Sequence, residues 1–239
     1  MKGFCIALQF LTRIPLPNGQ DYDAHSISRS VLFYPVVGLL IGLVLTVLAW
    51  ILTDSPTFVA AGVVLTVWVA LTGALHLDGL GDCCDAWIGG FGDQQRTLAI
   101  MKDPASGPMA VSALVLTLLL KWAALTVILE EARVEALLLV PVLGRTAMVA
   151  LMLSTPYVSP HGLGEALLRH LSMRAAWSII ATSMLCLPWM LGTASTIAAL
   201  AVMLCVRHAT LQRLGGATGD VYGATLELSE TAALLAIAL

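Results

Sequence analysis

Three aspartates stand within eight positions of HLDGLGDCCDAW, residues His76–Trp87, after at least twenty residues without a charged side chain. Asp78, Asp82 and Asp85 are spaced i, i+4 and i+7, so on a helix of 3.6 residues per turn they share one face. Like charges at i,i+4 repel even in water, and the repulsion grows where the dielectric falls near a membrane boundary. The spacing calls for a cation. Carboxylate oxygens are hard ligands suited to Mg2+, Mn2+ or Ca2+, and Mg2+ typically takes one or two carboxylates together with phosphate oxygens of a substrate. The bland alternative is that a loop leaving a membrane helix is acidic because it is wet. A zinc site from His76, Cys83, Cys84 and Asp85 is the weaker metal alternative, since adjacent cysteines lack the usual ligand spacing.

Other segments could serve the same chemistry. In RLGGATGDVYGATLELSE, Arg213–Glu230, the glycines let the backbone turn tightly, and N–H groups in such turns bind anions. The turn Gly216, Thr218, Gly219 and Asp220 is expected to close a phosphate site, with Glu227 two helical turns beyond Asp220. No Lys-Ser/Thr follows the glycines, so it is not a Walker A loop. A helix-start turn with solvated acids is the alternative. In IMKDPASGP, Ile100–Pro108, Lys102 can neutralise a phosphate, and Asp103 can add a ligand, orient the lysine or take a proton; a simple cytoplasmic anchor is the other reading. Arg145, in LGRTAM, sits inside an apolar segment, where a charge is costly and marks a functional site by default. Its planar fork suits a phosphate; an internal ion pair with an aspartate, or snorkelling, is the alternative. Arg13 in FLTRIPLP is placed with the same pocket. Lys121 is read as reaching an interface through its long stem, and His161 and His170 as loop residues without a role.

The elements that must position these groups follow from composition. The chain is 59% hydrophobic and 11% charged, against about a quarter charged for soluble domains. Too few polar residues remain to cover a soluble surface, so the expected fold is all-α and polytopic: a bundle of six to seven transmembrane helices. Uncharged or nearly uncharged runs cover Val31–Leu52, Pro56–Leu77, Met109–Leu129, Ala136–Thr155 and Ala175–Leu191. Ala194–Val206 is short and is expected to extend past its borders, and a last helix from Gly223 to Leu239 looks too short for a full span. The start, MKGFCIALQFLTR, lacks a small-residue cleavage site before Arg13 and is expected to be a retained interfacial or re-entrant helix. No linker or repeat divides the chain, so residues 1–239 form one integral membrane domain. The net charge of −3 with no basic run leaves no footprint for nucleic acid. The five cysteines are read as free thiols, and a homo-oligomer is left open.

Charge orients the bundle. With the N-terminus inside, Lys2, Arg13, Arg29, Arg96, Lys102, Arg169, Arg174, Arg207 and Arg213 are all cytoplasmic and only Arg133 is outside, as the positive-inside rule requires. The long loop Asp78–Pro108 and the acidic clusters described above then lie on the inner side of a bacterial cytoplasmic (inner) membrane.

Taken in order, FLTRIPLP, FYPVVGLLIG, HLDGLGDCCDAW, IMKDPASGP, the Gly144-Arg145 pair and GGATGD with its downstream glutamates resemble the adenosylcobinamide-GDP ribazoletransferase (cobalamin synthase) family along the whole chain. The resemblance implies a Mg2+-dependent membrane enzyme that joins adenosylcobinamide-GDP to α-ribazole or its 5′-phosphate and releases GMP. On that reading Asp78, Asp82 and Asp85 hold the metal, one of them or Asp103 takes the hydroxyl proton, and Lys102, Arg145 and Arg13 steady the diphosphate. Rival functions are a structural membrane subunit, which leaves the clustered carboxylates without a cause, a CDP-alcohol phosphotransferase and a transporter. A CDP-alcohol phosphotransferase would carry D-G-x-x-A-R, where Gly81-Asp82 stands here. A transporter would use charges such as Lys121 and Arg145 along a path, but the acids gather near one membrane face.

Overall fold

The computed structural model describes residues 2–16, 23–159 and 162–239; His161 lies outside them. The described chain is helical: α1 Lys2–Leu11, α2 Ala24–Ser30, a 3-10 turn Val31–Phe33, α3 Tyr34–Ile51, α4 Thr57–Thr72, α5 Leu75–Gly89, α6 Gln94–Ile100, α7 Pro108–Glu130, α8 Val134–Ser154, α9 Leu163–Arg169, α10 Met173–Leu191, α11 Thr193–Leu214 and α12 Gly219–Ala238. In lipid every backbone polar group must find its partner within the protein, which selects helices. Six stretches are long and apolar enough to cross a bilayer: residues 24–51, α7, α8, α10, α11 and α12, with α4 plus α5 a bent seventh. At ten residues, α1 is too short to cross; it lays Ala7, Leu8 and Leu11 into the core beside α2 and α3. Asp23 caps α2 by accepting from the Ser26 N–H at 2.7 Å, a bond that holds its pKa below the usual carboxylate value.

Two helices form the middle of the bundle. α8 and α12 are 83% and 72% buried, whereas α10 is 17% buried. Leu116, Leu185, Trp189 and Ile197 face outward, where acyl chains replace water. α3 lies against α8 through Gly38 and Gly42. A Cβ on Gly38 would meet the Pro141 carbonyl oxygen at 2.5 Å, and one on Gly42 the Leu138 oxygen at 2.2 Å. These four-apart glycines are a small-xxx-small contact used inside the chain.

The structure departs from the sequence expectation in three places. Pro56–Leu77 is not one straight span: Gly73 (φ 62°) and Ala74 (φ 57°) are both left-handed, and α5 leaves α4 at 87°. Glycine at such a helix end is common; a second left-handed residue with a Cβ is not, and nothing in the composition announces it. The segment Asp78–Pro108 is not simply a loop but carries most of α5 and all of α6. As expected, the short run Ala194–Val206 extends past its borders, in α11 to Leu214, with Arg207 donating from Nε to the Ser154 carbonyl at 3.1 Å. The last helix begins at Gly219 and, at 20 residues, is long enough to span; Thr218 caps it, accepting from the Val221 N–H.

The ends of the bundle are distinct. Thr57 bonds the Glu130 carboxylate at 2.9 Å and Arg133 donates to the Ile237 carbonyl at 2.6 Å, which gathers the ends of α4, α7, α8 and α12. The opposite end carries α5 and α6, tied to α11 by Gln94 donating to the Leu214 carbonyl at 2.6 Å and by Arg213 donating to the Trp87 carbonyl at 3.0 Å.

Candidate active site

The acids of α5 meet α12 because two glycines permit it. A Cβ on Gly79 would lie 2.8 Å from the Asp220 carbonyl oxygen, and one on Gly223 would lie 3.1 Å from the Cα of His76. The two backbones therefore touch, and Asp78 and Asp82 stand beside Asp220. Every charge acting on Asp82 is negative: Asp78, Asp220 and Asp85.

Asp85 has a different role. Its Oδ2 accepts from the Gly107 N–H at 2.5 Å and its Oδ1 from the Ala110 N–H at 2.9 Å. It caps the start of α7, where unpaired N–H groups and the helix dipole favour a carboxylate. Both oxygens expected to bind a metal are thus engaged by backbone. Among the described residues no group of three or more His, Cys, Asp or Glu side chains forms a ready metal cage. The acids that remain near one another, Asp78 and Asp82 with Asp220 opposite, are hard oxygen donors of the kind Mg2+ takes together with substrate oxygens.

The other predicted segments converge on this end. The turn before α7 touches α5 at Asp85–Gly107, and Met101 Sδ accepts from the Thr218 hydroxyl at 3.8 Å. Lys102 and Asp103 are exposed, and Asp103 accepts from the Ala105 N–H at 3.0 Å. Arg13 folds over the bend: a Cβ on Gly73 would meet its Nε at 2.0 Å, and its backbone N–H donates to Leu71 at 2.7 Å. Gly216 is pressed against the segment after α8, since a Cβ there would meet the Pro156 oxygen at 2.4 Å, whereas one on Gly219 would meet nothing within 4 Å.

Arg145 and Glu227 are elsewhere. Arg145 is fully buried and ion-paired to Glu230. Lys121 Nζ bonds Glu227 at 2.6 Å and Glu230 at 2.9 Å, and lies 4.8 Å from the Trp68 ring centre. Gly144 makes room, since a Cβ there would meet Glu230 Cγ at 2.5 Å. Two cations and two anions cancel, which is what lets charges persist inside a bundle. The diphosphate role expected of Arg145 gives way to the internal ion pair, with a glutamate rather than an aspartate as partner. Lys121 does not reach an interface. Ten residues separate Asp220 from Glu230 along α12, about 15 Å at 1.5 Å per residue, so the quartet sits near mid-membrane and the acid cluster at one end.

A cavity of about 260 Å³ opens beside the acids, lined by Phe10, Tyr34, His76, Asp78, Tyr157, Asp220 and Tyr222 among others. His76 is 3% exposed. Among the described residues neither of its ring nitrogens, nor the Tyr222 hydroxyl, has a hydrogen-bond partner. Leaving such a group unpaired costs ~1–3 kcal/mol.

A family model described as cobalamin-5-phosphate synthase matches residues 3–238. The chain belongs to this family. A relative from Pseudomonas putida (strain GB-1), named adenosylcobinamide-GDP ribazoletransferase, is 52% identical over 240 residues, covering 100% of this chain and 99% of its own. Relatives of the same name from Pseudomonas fluorescens (strain Pf0-1) and Ectopseudomonas mendocina (strain ymp) are 48% and 51% identical, covering 100% and 98% of this chain and 100% and 97% of their own. No solved structure matches.

In this member of the cobalamin-5-phosphate synthase family, sequence reasoning left Glu230 without a role and gave Lys121 and His76 other surroundings than the fold does. Glu230 and Lys121 carried a readable signal, since two acids and two bases in otherwise apolar spans must balance. His76 carried none, because only the fold shows that its ring lacks a partner.

Proposed function

We propose that the protein catalyses Mg2+-dependent joining of adenosylcobinamide-GDP to α-ribazole or its 5′-phosphate, with release of GMP, at the cytoplasmic face of a bacterial inner membrane. The observation that carries this reading is a match along the whole chain to relatives that bear one activity name. The geometry supports it. A ribazole hydroxyl attacks the cobinamide-bearing phosphorus, that phosphorus–oxygen bond forms, and the bond to the GMP oxygen breaks. Such transfers depend on positioning and charge neutralisation more than on covalent help.

Asp78 and Asp82, with Asp220 across from them, would hold the metal. When bound, Mg2+ supplies neutralisation of the negative charge on the attacking and leaving oxygens. One of these carboxylates takes the hydroxyl proton. Lys102, on its exposed turn, and Arg13, at the α4–α5 bend, supply positive charge to the diphosphate. The open face at Gly219 leaves room for substrate to approach the start of α12, whose N–H groups favour anions. Purified protein given both substrates should release GMP and a corrinoid of the joined mass with Mg2+, and neither after chelation. Asp82→Asn should lower the rate at least about 100-fold at saturating Mg2+. Near-normal turnover in that variant would remove the acids from the mechanism.

A further inference from the structure

We infer that the cavity beside the acid cluster receives the base of the riboside substrate, with His76 reading its ring nitrogen. This assignment rests on the ribazoletransferase reading above. His76 and Tyr222 line the cavity and their polar atoms have no partner among the described residues. Buried polar groups are ordinarily satisfied, and a neutral imidazole offers one donor and one acceptor. A bound molecule is the partner that completes them.

The walls specify its shape. Phe10 lies against Tyr34 with ring centres 6.1 Å apart and planes at 23°, and Tyr157 against Tyr222 at 6.1 Å and 25°. Aromatic faces of this kind accept a planar heterocycle. At about 260 Å³ the cavity is smaller than the ~300–1,000 Å³ of drug-sized sites, so it suits one ring system rather than a whole nucleoside. Asp78 and Asp220 belong to the same lining. A ribose attached to a base seated here is directed at the carboxylates.

Two planar bases are available, guanine and the dimethylbenzimidazole of ribazole. Guanine presents several donors and acceptors around its edge, whereas the unpartnered groups in this lining are one imidazole and the hydroxyls of Tyr34 and Tyr222. Glycosylated dimethylbenzimidazole has one free ring nitrogen, an acceptor, and an apolar rim. An imidazole N–H matches that nitrogen, and Met148, also in the lining, is a polarisable neighbour for the rim.

The test uses the full-length protein in detergent. His76→Phe should raise KM for α-ribazole about tenfold or more, with kcat and the KM for adenosylcobinamide-GDP unchanged within about twofold; His76→Gln, which keeps a donor, should recover much of it. Wild type should prefer α-ribazole over an indole riboside, in which C–H replaces the ring nitrogen, by a similar factor, and His76→Phe should lose that preference. An equal rise in both KM values, a change in kcat alone, or no change overturns the assignment. If His76→Phe does not fold, the riboside pair on wild type decides alone, and equal use of both overturns it. If wild type releases no GMP, the ribazoletransferase reading fails separately. Equilibrium binding then decides the cavity: saturable α-ribazole binding that GMP does not displace upholds it, and displacement by GMP or absence of α-ribazole binding overturns it.

Discussion

Asp82 and Asp85 are three residues apart on one helix and face different partners. Asp82 meets only other acids, while Asp85 accepts two N–H groups at the start of α7. Asparagine at each should separate them. Asp85→Asn replaces one acceptor with a donor and removes a charge from a helix N-terminus, a loss of about 1–2 kcal/mol. It should lower the melting temperature in detergent while GMP release per folded molecule stays within about threefold, a change too small for a lost reacting group. Asp82→Asn should show the converse, loss of turnover with little change in melting. Equal loss of turnover at unchanged melting would return Asp85 to the chemistry. The i, i+4, i+7 spacing could not tell these residues apart, because it reports a shared helical face and not what stands opposite each position.

At the scale of elements, the site is a crossing of two helices. α5 reaches α12 through Gly79 and Gly223, and what a larger residue at Gly79 would meet is the Asp220 backbone, which cannot rotate away. Gly79→Val should push α5 off α12, destabilise by about 1–3 kcal/mol and reduce GMP release at least about tenfold. Gly62→Ala is the control, since its added Cβ would come no nearer than 3.7 Å to a neighbour and should leave both unchanged. Unaltered turnover in Gly79→Val would mean that the α5–α12 contact does not position the acids. The glycine-rich segments were visible in the sequence. Which backbone each glycine would touch was not, because small residues along one helix do not say which helix packs against them.

Across the whole molecule, charge is partitioned by depth. Lys121, Arg145, Glu227 and Glu230 join α7, α8 and α12 at mid-height, and Asp78, Asp82 and Asp220 gather at one end. Glu230→Gln would leave two buried cations facing one anion, and breaking a buried pair this way costs about 3–5 kcal/mol. That variant should yield little monodisperse protein by size exclusion. Adding Lys121→Met restores neutrality and should recover much of the yield, a coupling that only residues in one network show. Additive losses in the double variant would mean that the four charges act independently.

The amino-acid sequence by itself determined the class and raised the question of what neutralises its crowded acids. A chain this apolar must enter lipid as helices, because lipid satisfies no backbone polar group, and crowded carboxylates in such a chain require a compensating positive charge. Both are consequences of local composition. What only the tertiary structure decided is which charge meets which. Arg145 and Glu230 are 85 residues apart, Lys121 and Glu230 are 109 apart, and Asp85 reaches N–H groups 22 and 25 residues away. Periodicity describes one helix at a time. Pairing between helices depends on where small residues let backbones touch, and that contact assigned Asp85 to a cap, Arg145 to an ion pair and His76 to an open cavity.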